Sequence, residues 1–147
     1  RLPSPLGGER AVSVSAGGGH SLALAADGTV WSWGLGTSGQ LGHGPVTALA
    51  LPKRVEGLAG QLVIAVSAGY GHALAITADG AVWSWGDGMC SGHGDQKDLQ
   101  RPQKIEAFAG QRVVAVSAGF EHSLAATADG AVWSWGPGRD GCLGHGD

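Results

Sequence analysis

Residues 66–86 read VSAGYGHALAITADGAVWSWG, and the chain repeats that sentence twice more. Residues 14–34 read VSAGGGHSLALAADGTVWSWG and residues 116–136 read VSAGFEHSLAATADGAVWSWG. The interval is 52 residues from His20 to His72 and 50 from His72 to His122. Each block is followed by a glycine-rich tail: GLGTSGQLGHG at 34–44, GDGMCSGHG at 86–94 and GPGRDGCLGHG at 136–146. The middle tail is two residues shorter, which accounts for the change of period. All 6 Trp and all 6 His occupy repeated positions. Self-similarity at this interval marks a repeat architecture.

Within one unit the signals are those of short strands. Ala11–Ala16 alternates, with Val12 and Val14 on one face and small residues on the other. His20–Leu24 alternates again, and Asp27-Gly28 is a hairpin turn because Gly accepts the positive φ that a tight turn needs. Thr29–Trp33 returns as the partner strand with both indoles on one face. A weaker strand is expected near Lys53–Val55 and Gln103–Glu106, and connecting turns at Gly57–Gly60 and Ala107–Gly110. No segment offers helical periodicity with caps. A unit of about 50 residues with three or four antiparallel strands predicts an all-β fold, a β-propeller built from blades. One small sheet cannot bury both of its faces, so blades lean on one another. The abundance of Gly, Ala and Ser suits closely packed inner strands, and the Trp pairs are expected as core, filling the wedge between blades.

Composition narrows the function. The chain has 147 residues, a net charge of −3, 14% charged residues and 43% apolar residues. That balance suits a packed core and not a disordered chain. No basic run exceeds Lys53-Arg54, so no electrostatic footprint for nucleic acid is visible. No stretch approaches the ~18 apolar residues of a membrane helix, and none reads as a signal peptide. Two cysteines make no disulfide framework, so an intracellular setting, cytoplasmic or nuclear, is expected.

The repeat resembles that of the regulator of chromosome condensation family. The shared pattern is an Ala-Gly, two variable residues, His-Ser-Leu, then Asp-Gly, an aromatic pair ending in Trp-Gly, and Gly-Gln-Leu-Gly-x-Gly. Here it stands as AGGGHSLAL, ADGTVWSWG and SGQLGHG in the first unit. The second and third units match through WSWG, and the second tail departs by its two missing residues. The resemblance implies a seven-bladed propeller of about 50-residue blades, of which residues 1–147 are a single partial ring. The repeat units are placed at about 1–52, 53–102 and 103–147. Three units have two open flanks, so the chain is expected to be a fragment completed by further blades, or to be completed by a second copy.

The residues that invite chemistry have structural readings. His20, His72 and His122 stand one per blade and are expected to hydrogen-bond backbone groups. Cys90-x-x-His93 and Cys142-x-x-His145 could supply four soft zinc ligands only if adjacent tails converged, and Gln40 holds the equivalent place in the first unit. Asp27, Asp79 and Asp129 each belong to an Asp-Gly turn. Ser21 and Ser123 directly follow a His, which sends the two side chains to opposite faces of a strand and spoils a nucleophile–base pair. The tails lack the Lys-Ser/Thr ending of a phosphate loop. No catalytic residue, cofactor or metal site is therefore expected, and the chain is read as a binding module and not an enzyme.

The positions that break the repeat are where a partner surface is written. Gly18-Gly19, Tyr70-Gly71 and Phe120-Glu121 fill the two variable places before the histidine. Leu35, Asp87 and Pro137 vary after Trp-Gly, as do Met89 and Arg139. Tyr70, Phe120, Glu121, Asp87, Met89 and Arg139 are the expected partner-binding residues. Light-sensing plant members of this fold carry Trp then Arg at the two variable places, a pair absent from all three units here. The resemblance implies a protein partner, with guanine-nucleotide exchange on a Ran-type small GTPase by a complete ring as one alternative. A scaffold role inside a larger ubiquitin ligase or kinase is the other.

Overall fold

The computed structural model describes residues 1–2 and 6–146; Pro3–Pro5 and Asp147, at the outer ends of the first and third units, lie outside them. The first sheet comprises β1 (Ala11–Ala16), β2 (His20–Ala25), β3 (Val30–Leu35) and β4 (Ala48–Arg54), each antiparallel to the next. The second repeats it with β5 (Val63–Ala68), β6 (His72–Thr77), β7 (Val82–Gly86) and β8 (Leu99–Lys104). The third holds β9 (Val113–Ala118), β10 (Ser123–Thr127) and β11 (Val132–Trp135). Two sheets have the expected four strands, and the third has three among the described residues. A further strand at the 50-residue interval from β8 would fall past position 147.

The outer strands begin earlier than expected, at Ala48 and Leu99 instead of Lys53 and Gln103, and end at Arg54 and Lys104. The unit boundaries drawn at 52 and 102 therefore pass through the last residues of β4 and β8. These strands mix Leu, Pro and charge on a solvent-facing edge, so no hydrophobic period marks them. The expected connecting turns contain short 3-10 turns, Glu56–Leu58 and Glu106–Phe108, each of which buries one apolar side chain.

Burial explains why three small sheets make one body. At the first join Leu22, Leu24 and Val30 pack with Ala73, Ala75 and Trp85, closed from outside by Val55 and Leu58. At the second join Ile76 and Val82 meet Ala125, with Ile105, Phe108 and the partly buried Trp135 around them. Large aliphatics on one face thus meet alanines and an indole on the next. Each fully buried Leu or Val contributes about 1.5–3 kcal/mol relative to exposure. Hydrogen bonds fix the joins: Ala68 N–H donates to Ser15 Oγ and Ala118 N–H to Ser67 Oγ, both at 2.9 Å. Trp85 Nε1–H donates to the Gln40 carbonyl at 2.9 Å, and Trp135 Nε1–H to the Cys90 carbonyl at 3.0 Å. The second indole of each pair is therefore tied to the tail of the sheet before it.

The reading of all six tryptophans as core needs correction. Only Trp85 is fully buried, Trp31, Trp33, Trp83 and Trp135 are half-buried, and Trp133 is exposed. Trp31 and Trp33 lie on the first sheet's outer face, beside Leu6, with no preceding sheet among the described residues. Trp83 has Lys104 Nζ of β8 over its ring at 5.5 Å, and the third sheet has no described strand to do the same for Trp133.

Candidate functional site at the loop end of the sheets

The Asp-Gly hairpins lie at one end of every sheet. The loops at 17–19, 69–71 and 119–122 lie at the other, with the tails that follow β3, β7 and β11. Each of these loops rests on a histidine from its own strand. A Cβ on Gly17, Gly69 or Gly119 would overlap the ring of His20, His72 or His122. The repeated Ala-Gly and His are thus one device that props the loop from beneath and leaves the two residues between them free to vary.

Adjacent loops then lock together. Gly18 N–H donates to the Gly69 and Tyr70 carbonyls at 3.2 and 3.1 Å, and Tyr70 N–H to the Gly119 carbonyl at 3.1 Å. They enclose a shallow depression of about 260 Å³, floored by Ala16–Gly18, Ala68–Gly69 and Ala118–Gly119 and rimmed by Tyr70 and Phe120. The two rings stack with centroids 4.4 Å apart at an interplanar angle of 39°. Both face solvent, Tyr70 at 57% and Phe120 at 63% exposure. Gly18 holds the same repeat position as these aromatics, and a Cβ there would stand 2.6 Å from the Tyr70 ring. The first unit lacks an aromatic because its neighbour's ring already occupies the space.

The other expected residues gather around this pair. Asp87 N–H donates to the Gly71 carbonyl at 2.9 Å, and its Oδ1 accepts from Met89 N–H at 2.9 Å. Met89 is exposed, as is Leu35, which lies against Gly19. Glu121 faces Arg139 at 3.8 Å across two largely exposed side chains. Tyr70, Phe120, Glu121, Asp87, Met89 and Arg139 therefore share one end of the molecule. Burial pushes the Cys90 thiol up to about 12, with the Asp87 and Glu121 carboxylates adding to the shift, so this thiol stays protonated.

The histidines differ from expectation. His72 Nε2 bonds no backbone group; it lies 2.8 Å from Ser123 Oγ of the next sheet. The Ser123 hydroxyl donates its one proton to the Cys90 carbonyl at 3.3 Å, so Nε2 is the donor to Ser123 and Nδ1 is bare. Adjacency along a strand concealed this pair, because the serine comes from the following unit. Both members are fully buried and the hydroxyl proton is committed, so the pair holds the join and offers no nucleophile. At the first join Ala73 stands where Ser123 stands at the second, and neither ring nitrogen of His20 has a partner. Burial lowers the pKa of His20 and takes that of His72 down to about 4, helped by charge on His20 and His122. The three rings sit on separate sheets yet lie within electrostatic reach of one another, nearer than one per blade suggested.

The tail histidines hold their own tails. Ser32 Oγ donates to the Leu41 carbonyl at 2.6 Å and lies 2.8 Å from His43 Nε2; Ser84 does the same with Ser91 and His93, and Ser134 with Leu143 and His145. His93 and His145 are thereby directed into different sheets, and the two Cys-x-x-His pairs do not face one another. At the opposite end, Asp27, Asp79 and Asp129 accept from Thr29, Thr77 and Thr127 hydroxyls and from backbone N–H groups, which hold their carboxyls below the usual range. They are turn residues.

Stacked four-stranded antiparallel sheets with a rim of variable loops define a propeller-type repeat protein whose chemistry lies in recognition surfaces. The chain matches the regulator of chromosome condensation (RCC1) repeat over residues 27–76 and 79–126, and a second form of that repeat over 11–40, 63–94 and 113–142. It belongs to this repeat family. The longer matches each run from one hairpin into the inner strands of the next sheet, so a single repeat spans a join. Among solved structures it is similar to human WBSCR16, with a TM-score of 0.81 and 30% identity over 88% of this chain and 33% of that one. It is also similar to Prp20p of Saccharomyces cerevisiae, with a TM-score of 0.79 and 28% identity over 90% of this chain and 33% of that one. Curated relatives include an RCC2 homolog of Danio rerio, 44% identical over 48 residues, which are 33% of this chain and 10% of that protein. The human E3 ubiquitin-protein ligase HERC2 is 42% identical over 67 residues, 46% of this chain and 1% of that protein. The chain thus spans about a third of the solved relatives and far less of the curated ones. No helix among the described residues is long and apolar enough to cross a membrane.

Proposed function

We propose that the chain is a protein-interaction module that binds a partner through its loop end, and that its role is recognition, not catalysis. The observation that carries the reading is the stacked, solvent-facing Tyr70–Phe120 pair at positions the scaffold leaves free. Exposed aromatics beside a polar rim anchor interfaces because they bury much area at little entropic cost. Solved relatives agree in kind: yeast RCC1 (Prp20) is described bound to Kap60, and Prp20p with its binding to Gsp1p and histones. Free cysteines, one buried and one exposed, suit an intracellular setting.

The reading is tested by cross-linking in a lysate of the source cell, comparing the native chain with Tyr70→Ser/Phe120→Ser. Partners lost from the double variant, with circular dichroism unchanged, support it; an identical partner set overturns it. Guanine-nucleotide exchange on a Ran-type GTPase is the second reading, favoured by likeness to Prp20p. No acceleration of GDP release from such a GTPase by the full-length protein removes it. A scaffold role within a larger ligase rests on the HERC2 match alone.

A further inference from the structure

The charge of the chain is distributed unevenly. The segments at the loop end (17–19, 35–47, 69–71, 87–98, 119–122 and 136–146) contain five acids, Asp87, Asp95, Asp98, Glu121 and Asp140, against two bases, Lys97 and Arg139. Five acids less two bases is −3, the whole net charge of the chain, and the remaining seven acids and seven bases cancel. The two carboxylates nearest the aromatic pair are Asp87, tied to the Tyr70-Gly71 loop, and Glu121, which follows Phe120 directly. A stacked aromatic pair with carboxylates on two sides is the surface that a guanidinium or ammonium group fits. The ring faces attract the cation and the carboxylates accept its N–H groups.

Arg139 shows the same chemistry within the molecule. Its guanidinium lies 3.8 Å from Glu121, and both side chains are largely exposed. An ion pair of that kind is worth little, so a ligand displaces it readily. Resting on the interaction reading above, we infer that the loop end docks a basic peptide segment, with an Arg or Lys side chain seated on Tyr70 and Phe120 between Asp87 and Glu121. The shallow Ala and Gly floor beside the rings admits an extended chain and carries no side chain to clash with it.

The test uses the full chain and three synthetic peptides: one alternating Arg and Leu, its Gln-for-Arg counterpart and its Glu-for-Arg counterpart. Fluorescence anisotropy should show binding of the Arg peptide alone, weakening as salt rises. Asp87→Asn and Glu121→Gln should each reduce its affinity roughly tenfold. Arg139→Ala should increase it, because Glu121 is then free. Preference for the neutral or acidic peptide, lost in Tyr70→Ser/Phe120→Ser, would overturn the basic ligand and leave the interaction face standing. Binding of the Arg peptide that ignores Tyr70, Phe120, Asp87 and Glu121 would overturn the proposed seat. If no peptide binds while cross-linked partners still depend on Tyr70 and Phe120, the basic-segment inference fails alone. Failure of both measurements ends both readings.

Discussion

Val82 and Val132 are the same residue at the same place in the repeat, yet one is 0% exposed and the other 74%. Their own sheets are alike. What differs is the next sheet: Val82 is covered by Ala125 and its neighbours, whereas nothing among the described residues packs over Val132. Trp85 and Trp33 make the same contrast on the other face, the first buried and bonded to Gln40, the second half-buried on the outer flank. Stability in this chain therefore belongs to the joins more than to the sheets. A strand pattern marks which face is apolar, but only the neighbouring unit turns that face into a core.

The strongest way to break this contrast is to cut both indoles. Trp85→Ala should cost about 3–5 kcal/mol by leaving a cavity at a sealed join. Trp33→Ala should cost about 1–2 kcal/mol, since its half-exposed ring leaves less area to lose. Urea denaturation of the two variants checks this, and equal losses would dissolve the distinction between join and flank.

Acid should act on the joins next. His72 has a folded pKa of about 4, below its unfolded value near 6.5. Between those values the unfolded chain binds a proton that the native state refuses, so stability falls as pH drops from about 6.5 to about 4. His20, His43 and His93 shift in the same direction. His72 alone contributes on the order of 3 kcal/mol to this loss. Below that window the hairpin aspartates, whose pKa values are lowered, extend the loss as they too gain protons. His72→Gln should flatten the limb between pH 6.5 and 4 in a pH series of unfolding midpoints, and an unchanged limb would place the titration elsewhere.

The two joins can also be made alike. Ser123→Ala removes the acceptor of His72 Nε2–H and should cost about 1–3 kcal/mol, because a buried donor is left unpaired. Ala73→Ser offers His20 the partner it lacks and should gain about 1 kcal/mol. Thermal melts of both variants sharpen the comparison, and loss of stability in Ala73→Ser would mean that the first join has no room for the hydroxyl.

Much of this was legible in the residues. Ala11–Ala16 forms its strand over the expected span, and the Asp-Gly turns fall where their chemistry demands. The outer strands were misplaced because Pro52 and Pro102 lie in edge segments with no alternation to read. The six partner-facing residues could be found because whatever departs from a strict repeat is not held by the scaffold. The His72–Ser123 pair could not, since its members come from different units 51 positions apart. The offset between one unit's His and the next unit's Ser becomes visible only once the sheets are stacked. Ala73 was nonetheless the clue: it alone breaks the His-Ser pair of the other two units.

Backbone amide exchange with and without a bound protein partner tests the account most directly, because it asks which end of the sheets the partner covers. The account predicts new protection at residues 17–19, 69–71 and 119–121, with the hairpins around Asp27, Asp79 and Asp129 unchanged. Protection at those hairpins, and none at the loops that carry Tyr70 and Phe120, would contradict it.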